Sequence, residues 1–214
     1  MTGDSNLIIQ DLEKRLRSGD QQALADLFSR ERERLWRVIH FRLAEPLRRR
    51  LEPDDVLQEA FLAATKRLEH YATSPTTSPF IWLRMIVNQT LNDLHREHLG
   101  AQKRDASLDV SIHAHSQSTS ASVAIQLVGA FISPSRAAAR ADILAAVYAT
   151  IEQMDPTDRE VLALRHFEEL TNSEVAEALG IEQKAASIRY IRALRRLKEL
   201  LAQIPDLSGE LHHE

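Results

Sequence analysis

The acid-free stretch richest in cations lies between residues 184 and 198, where Lys184, Arg189, Arg192, Arg195, Arg196 and Lys198 follow one another. Cations at helical spacing neutralise phosphates, while the residues between them, here Ser187 and Ile188, can touch base edges. The plainer meaning of such a run is a solvated basic face. A second set, Arg84, Asn88, Asn92 and Arg96, recurs every four residues and is expected on one open helix face. Arg suits a phosphate and Asn the edge of an unstacked base, although four polar residues alone also describe an ordinary surface. Trp82 lies beside them and either wedges against an exposed base pair or packs inward, because aromatics bury large areas. Asp55, Gln58 and Glu59 share one helix surface by i+3 and i+4 spacing. That acidic and amide face suits a basic protein partner, although Asp54 and Asp55 also complement a helix dipole.

Covalent chemistry has no comparable candidate. Paired carboxylates occur only on helix surfaces, and neither a glycine-rich phosphate loop nor a Gly-x-Ser-x-Gly elbow is present. The chain has no cysteine, which removes disulfides and thiolate metal sites and fits a reducing compartment. His95 with His98, and His113 with His115, each offer two nitrogens, but no further ligand follows at a familiar spacing. His212 and His213 lie in a polar tail. No enzyme activity, metal or cofactor is expected.

The elements that must position these residues are helical. Gly and Pro number 6 and 7 in 214 residues, about half their usual share. That deficit goes against sandwiches and barrels, which need frequent turns, and favours long helices. With aromatics at 5%, the cores must come from Leu, Ile, Val and Ala. Asp20, after Gly19, caps a helix carrying Ala23, Leu24, Leu27, Phe28, Leu35 and Val38. Pro53 opens another, with Val56, Ala60, Phe61, Ala64 and Leu68 on its inner face. After the loop 72–78, Ser78 and Pro79 restart a helix whose inner face is Phe80, Leu83, Val87, Leu91 and Leu94. From Gly100 to Pro134 Ser, Ala, Thr and His dominate and periodicity weakens, which predicts a linker with at most a short helix over 120–132. Asp155 and Pro156 start a helix in the second half, and Thr171 with Glu174 has the spacing of a capping box. Gly180 then suits a tight turn and Ile181 its corner, after which the basic helix begins near Gln183. Val175, Ala176, Leu179 and Ile181 are expected to pack against Ala186, Tyr190, Ala193, Leu194 and Leu197, the construction of a helix-turn-helix. The expected fold is all-α: two small helical domains, residues 1–99 and 135–204, joined by a flexible linker over 100–134 and followed by a tail, 205–214.

At this point two motifs carry a resemblance. Asp54-Asp55-Val56-Leu57-Gln58-Glu59-Ala60-Phe61 and Phe80-Ile81-Trp82-Leu83-Arg84-Met85-Ile86-Val87-Asn88 resemble region 2 of bacterial sigma factors, and the helix-turn-helix over Leu170–Leu201 resembles their region 4. Their order is similar to that of the extracytoplasmic-function (ECF) type of the sigma-70 family. The resemblance implies that Asp55, Gln58 and Glu59 grip the β′ subunit of core RNA polymerase, and that Asn88 and Asn92 read the minus-ten bases. It puts Trp82 and Arg84 in the melting and backbone-contact segment, and the loop over 72–78 around a flipped base. Lys184, Ser187, Ile188, Arg189 and Arg192 fall on the helix that reads the minus-thirty-five element. The linker would run past the RNA exit. Many relatives open that helix with a Gly-Thr-Val-Lys-Ser-Arg-like sequence, whereas this chain has Lys184-Ala185-Ala186-Ser187-Ile188-Arg189. Ile188 instead offers an apolar surface to a thymine methyl, so a promoter sequence cannot be borrowed from better-known members.

The function implied is a sigma factor that binds core polymerase through β′ and β, recognises and melts promoter DNA, and takes an anti-sigma factor as an optional partner. The alternatives are a stand-alone helix-turn-helix regulator and a helical adaptor that binds only protein. The net charge of −4 shows no overall pull toward a polyanion, but a sum hides separated patches. The N-terminus lacks a secretory signal and no apolar run reaches a membrane span, so no membrane partner and a cytoplasmic location are expected.

Overall fold

The computed structural model describes residues 2–43, 45–48, 50–73, 76–99, 110–131 and 137–204, with side chains outside 2–9, 45–46, 98–99, 110–118, 130–131 and 137–140. Among the described residues every regular element is a helix. The chain divides into two compact units, Met1–Arg104 and Asp105–Glu214.

The first unit is built from α1 (Thr2–Arg17), α2 (Gln21–Arg42), the short α3 (Glu45–Arg48), α4 (Pro53–Thr73) and α5 (Pro79–Leu99). Gly19 takes φ +78°, and Asp20 accepts from the backbone N–H groups of Gln22 at 2.8 Å and Ala23 at 3.3 Å, starting α2 where its free donors need a partner. Helices α2, α4 and α5 pack on one another, with α1 against α2 and α4. Their shared core is aliphatic: Leu24, Leu35, Val38, Ile39, Val56, Ala60, Leu83 and Val87 are all at most 1% exposed. Each such Leu, Val or Ile contributes about 1.5–3 kcal/mol of burial free energy. Phe28 meets Phe61 edge-on with centroids 5.2 Å apart.

The second unit contains α6 (Val110–Phe131), α7 (Ala137–Ile151), α8 (Pro156–Leu162) with its π-helical continuation Ala163–Phe167, α9 (Asn172–Leu179) and α10 (Gln183–Leu201). Here the structure departs from the expected flexible linker, because 110–131 is one helix that belongs to this unit and packs on α7 and α8. Val123, Ala124 and Val128 are buried, and so are Thr119, Ser120 and Ser122. Two of these polar residues have partners on α8: the Thr119 hydroxyl donates to Glu160 at 3.1 Å, and Arg159 donates to Ser120 Oγ at 2.7 Å while also pairing with Glu152. Ser and Thr have the composition of a tether, and once buried in a helix their hydroxyls need partners, which α8 supplies to Thr119 and Ser120. Residues 100–109, 132–136 and the tail 205–214 lie outside the described residues, as do the side chains of His98, His113 and His115.

Candidate nucleic-acid interface

The helix-turn-helix closes through local chemistry. Asp155 caps α8 by accepting from Thr157 N–H at 2.9 Å and Asp158 N–H at 3.3 Å, with Pro156 in the first turn. Thr171 and Glu174 form the expected reciprocal capping box, at 3.3 Å and 2.8 Å. Gly180 takes φ +62° and Ile181 N–H reaches Ala176 carbonyl at 2.9 Å, which ends α9 and turns the chain into α10. A side chain with a Cβ would be strained at that φ even though the space beside it is open. Ala176 and Ala186 are buried at the crossing, and Ala193 and Leu200 pack with Met154 and Leu162, flanked by Tyr190 and Leu197. Leu194, expected in that core, is instead 39% exposed, because it falls about 100° from Ala193 around the helix.

Helix α10 therefore turns one side inward and presents the other. Lys184, Ser187, Ile188, Ile191, Arg192 and Arg195 are exposed, and Arg189 is half-buried. The two arginines facing α8 are held by a residue the sequence reading missed. Asp158, with a side chain only 7% exposed, accepts from Arg192 Nε at 2.9 Å and from an Nη of Arg192 at 2.5 Å, and lies 3.7 Å from Arg189. The bond to Asp158 raises the Arg192 guanidinium above its ordinary pKa. A guanidinium has five N–H donors, so this clamp orients Arg192 and leaves donors for a second anion. In the sequence Asp158 looks like a dipole-favouring acid in a first turn, and nothing local announces a partner 34 residues away.

Helix α5 behaves differently. Asn92 and Arg96 are exposed and Asn88 is half-buried, but Arg84, expected on the same open face, is 6% exposed. A step of four residues advances a helix by about 400°, so the row drifts about 40° per step and about 120° from Arg84 to Arg96. Arg84 consequently lies among Phe80, Ile81, Val87 and Leu91, all buried, while Arg96 points outward and pairs with Asp93. Trp82 is half-buried and stacks on Tyr71 with centroids 4.3 Å apart, and the Tyr71 hydroxyl donates to Thr77 carbonyl at 2.9 Å. The indole thus braces the segment that leads from α4 into α5. Within that segment, residues 74 and 75 lie outside the described ones.

On α4, Asp55, Gln58 and Glu59 are all exposed. Asp55 also accepts from Glu52 N–H at 3.3 Å, and neighbouring Asp54 pairs with Arg32 at 2.7 Å. Leu62, which sequence reading passed over, is 47% exposed on the same surface, three and four residues beyond Glu59 and Gln58. An apolar centre with a polar rim is the anatomy of a protein contact. No helix among the described residues is long and apolar enough to cross a membrane. The described residues also hold no group of three His, Asp or Glu that could bind a metal.

Comparison with known proteins separates the same two units. Residues 17–99 match the family model Sigma-70 region 2, and residues 150–199 match Sigma-70, region 4. RNA polymerase sigma factor CarQ of Myxococcus xanthus is 27% identical over 89% of this chain and 96% of its own length. ECF RNA polymerase sigma factor SigW of Bacillus subtilis is 22% identical over 89% of this chain and 95% of its own. ECF RNA polymerase sigma factor SigD of Mycobacterium tuberculosis is 28% identical over 89% of this chain and 82% of its own.

Proposed function

From the premise that this chain belongs to the sigma-70 family as an ECF-type RNA polymerase sigma factor, we propose how its surfaces divide the work of starting transcription. The factor confers promoter recognition on the polymerase. Both sigma regions, in order on one chain, carry that conclusion. The alternative of a stand-alone helix-turn-helix regulator is not favoured, since it leaves the region 2 match over residues 17–99 without a role.

In the finer reading, α10 lies in the major groove of the minus-thirty-five element. Lys184, Ser187 and Ile188 face the bases, and Arg189 and Arg192, oriented by Asp158, meet phosphates along one flank. Asn88 and Asn92 take up unpaired minus-ten bases, with Trp82 bracing the loop beside them and Arg84 supporting α5 from beneath. Binding of unstacked bases offsets the lost stacking, so no covalent step is asked of this chain. Nucleotide addition belongs to the core enzyme. Asp55, Gln58, Glu59 and Leu62 form the contact with β′, and the second unit meets β. Family membership alone adds an anti-sigma protein as a partner and the cytoplasm as the place of action. Two contacts on one chain raise the effective concentration of the second once the first has formed.

Run-off transcription with purified core polymerase tests this reading. Addition of the chain should give defined starts at promoters identified by mapping transcription starts after overexpression. Failure to initiate at any of them would overturn it.

A further inference from the structure

The outward face of α10 is apolar at its centre. At about 100° per residue, Lys184, Ile188, Ile191 and Arg195 fall within about 60° of one another, on the side away from buried Ala186 and Ala193. Ile188 is 57% and Ile191 59% exposed, an unusual cost for two neighbouring β-branched side chains on a surface otherwise cationic. Their χ1 angles are stiff, so the methyl groups are held in place without a partner. The arginines that could have covered them are drawn to one flank, where Asp158 holds Arg192 through two hydrogen bonds and lies beside Arg189. The surrounding charges, Lys184, Arg195 and Lys198 with no acid between 184 and 198, complement a polyanion. Within a major groove the apolar feature offered to such a surface is the thymine C5-methyl group.

We propose that Ile188 and Ile191 together read thymine methyl groups, making T·A pairs the specificity determinants of the minus-thirty-five element. The inference rests on α10 being the promoter-reading helix, and it deepens that reading by stating what the bases must carry. Hydrogen bonding then contributes to discrimination at the N-terminal end of the face, through Lys184 and Ser187, and the centre discriminates by shape.

The test uses holoenzyme assembled from the full chain and core polymerase, on a promoter found by start-site mapping. Each thymine of its minus-thirty-five element is replaced in turn by deoxyuridine, which removes the methyl and keeps every hydrogen bond. One or two replacements should each weaken binding about fourfold, the worth of one buried methyl. The double variant Ile188→Ala, Ile191→Ala should bind thymine and deoxyuridine promoters equally, and because both side chains are exposed it should melt at the wild-type temperature. An element without thymine, indifference to deoxyuridine at every position, or discrimination retained by the double variant would each overturn the inference while promoter binding persists. Weaker core association by the double variant in the absence of DNA would also overturn it, by making the pair a protein contact. Absence of any specific promoter complex would instead remove the sigma reading on which it stands.

Discussion

Helices α5 and α10 both carry arginines and polar residues at helical spacing, yet they use them in opposite ways. On α5 the row rotates into the core, so Arg84 is buried while Arg96 is paired with Asp93 outside. On α10 the basic side stays outward, and the two arginines facing α8, Arg189 and Arg192, are met by a single acid from that helix, Asp158. The difference teaches that spacing of four is a poor guide over three turns, because it precesses against the 3.6-residue period. An acid-free run is a better one, since whichever face is exposed still carries cations.

The largest expected effect breaks that comparison at its buried end. Arg84→Ala should cost the first unit about 3 kcal/mol, because it truncates a long buried side chain packed among Phe80, Ile81, Val87 and Leu91, measured by denaturant unfolding. A wild-type unfolding curve combined with a loss of DNA binding would return Arg84 to the surface role expected from its spacing. Asn88→Ala should next slow promoter opening about tenfold, roughly the worth of one good base contact, while closed-complex formation stays unchanged; permanganate footprinting separates the two. Asp55→Ala with Glu59→Ala should weaken core association about tenfold, with the affinity of the free chain for duplex DNA unaltered. Asp158→Asn sharpens the comparison at its other end. It frees Arg189 and Arg192 and removes a negative charge, so non-specific DNA binding should rise a few-fold while the specific-to-non-specific ratio falls in competition binding.

The smallest effect is one of pH. Arg15 donates to Asp20 at 2.8 Å and holds its carboxyl below the ordinary value against the opposing effect of desolvation, with the α2 N–H groups of Gln22 and Ala23 adding to the depression. The stability this contributes is fully present above the unfolded value of about 3.9 and is lost as pH falls through the native one. Asp20→Asn should therefore lower the melting temperature slightly at neutral pH and flatten its decline in acid, by thermal melts across that range.

Much of this was legible in the chain because it is local. The capping box of Thr171 and Glu174, the turn at Gly180, the caps Asp20 and Asp155 and the inner faces of α2 and α4 each depend on residues within one or two turns. The helix Val110–Phe131, where the sequence predicts a linker, depends on contacts that are not local. Thr119 and Ser120 lie buried in a helix with their hydroxyls partnered by Glu160 and Arg159, 41 and 39 positions further along the chain. The sequence allows Trp82 two meanings, and only the tertiary structure brings Tyr71 onto its ring.

The amino-acid order by itself was enough for an all-helical chain with a capped helix-turn-helix, an acid-free basic helix and an acidic and amide face on α4, because propensity, capping and charge sign act over a few residues. Which side of each helix faces outward needed the packed units. Burial of Arg84, capture of Arg192 by Asp158 and exposure of Ile188 beside Ile191 are set by neighbours distant in sequence, and no local pattern contains the angle at which one helix meets another.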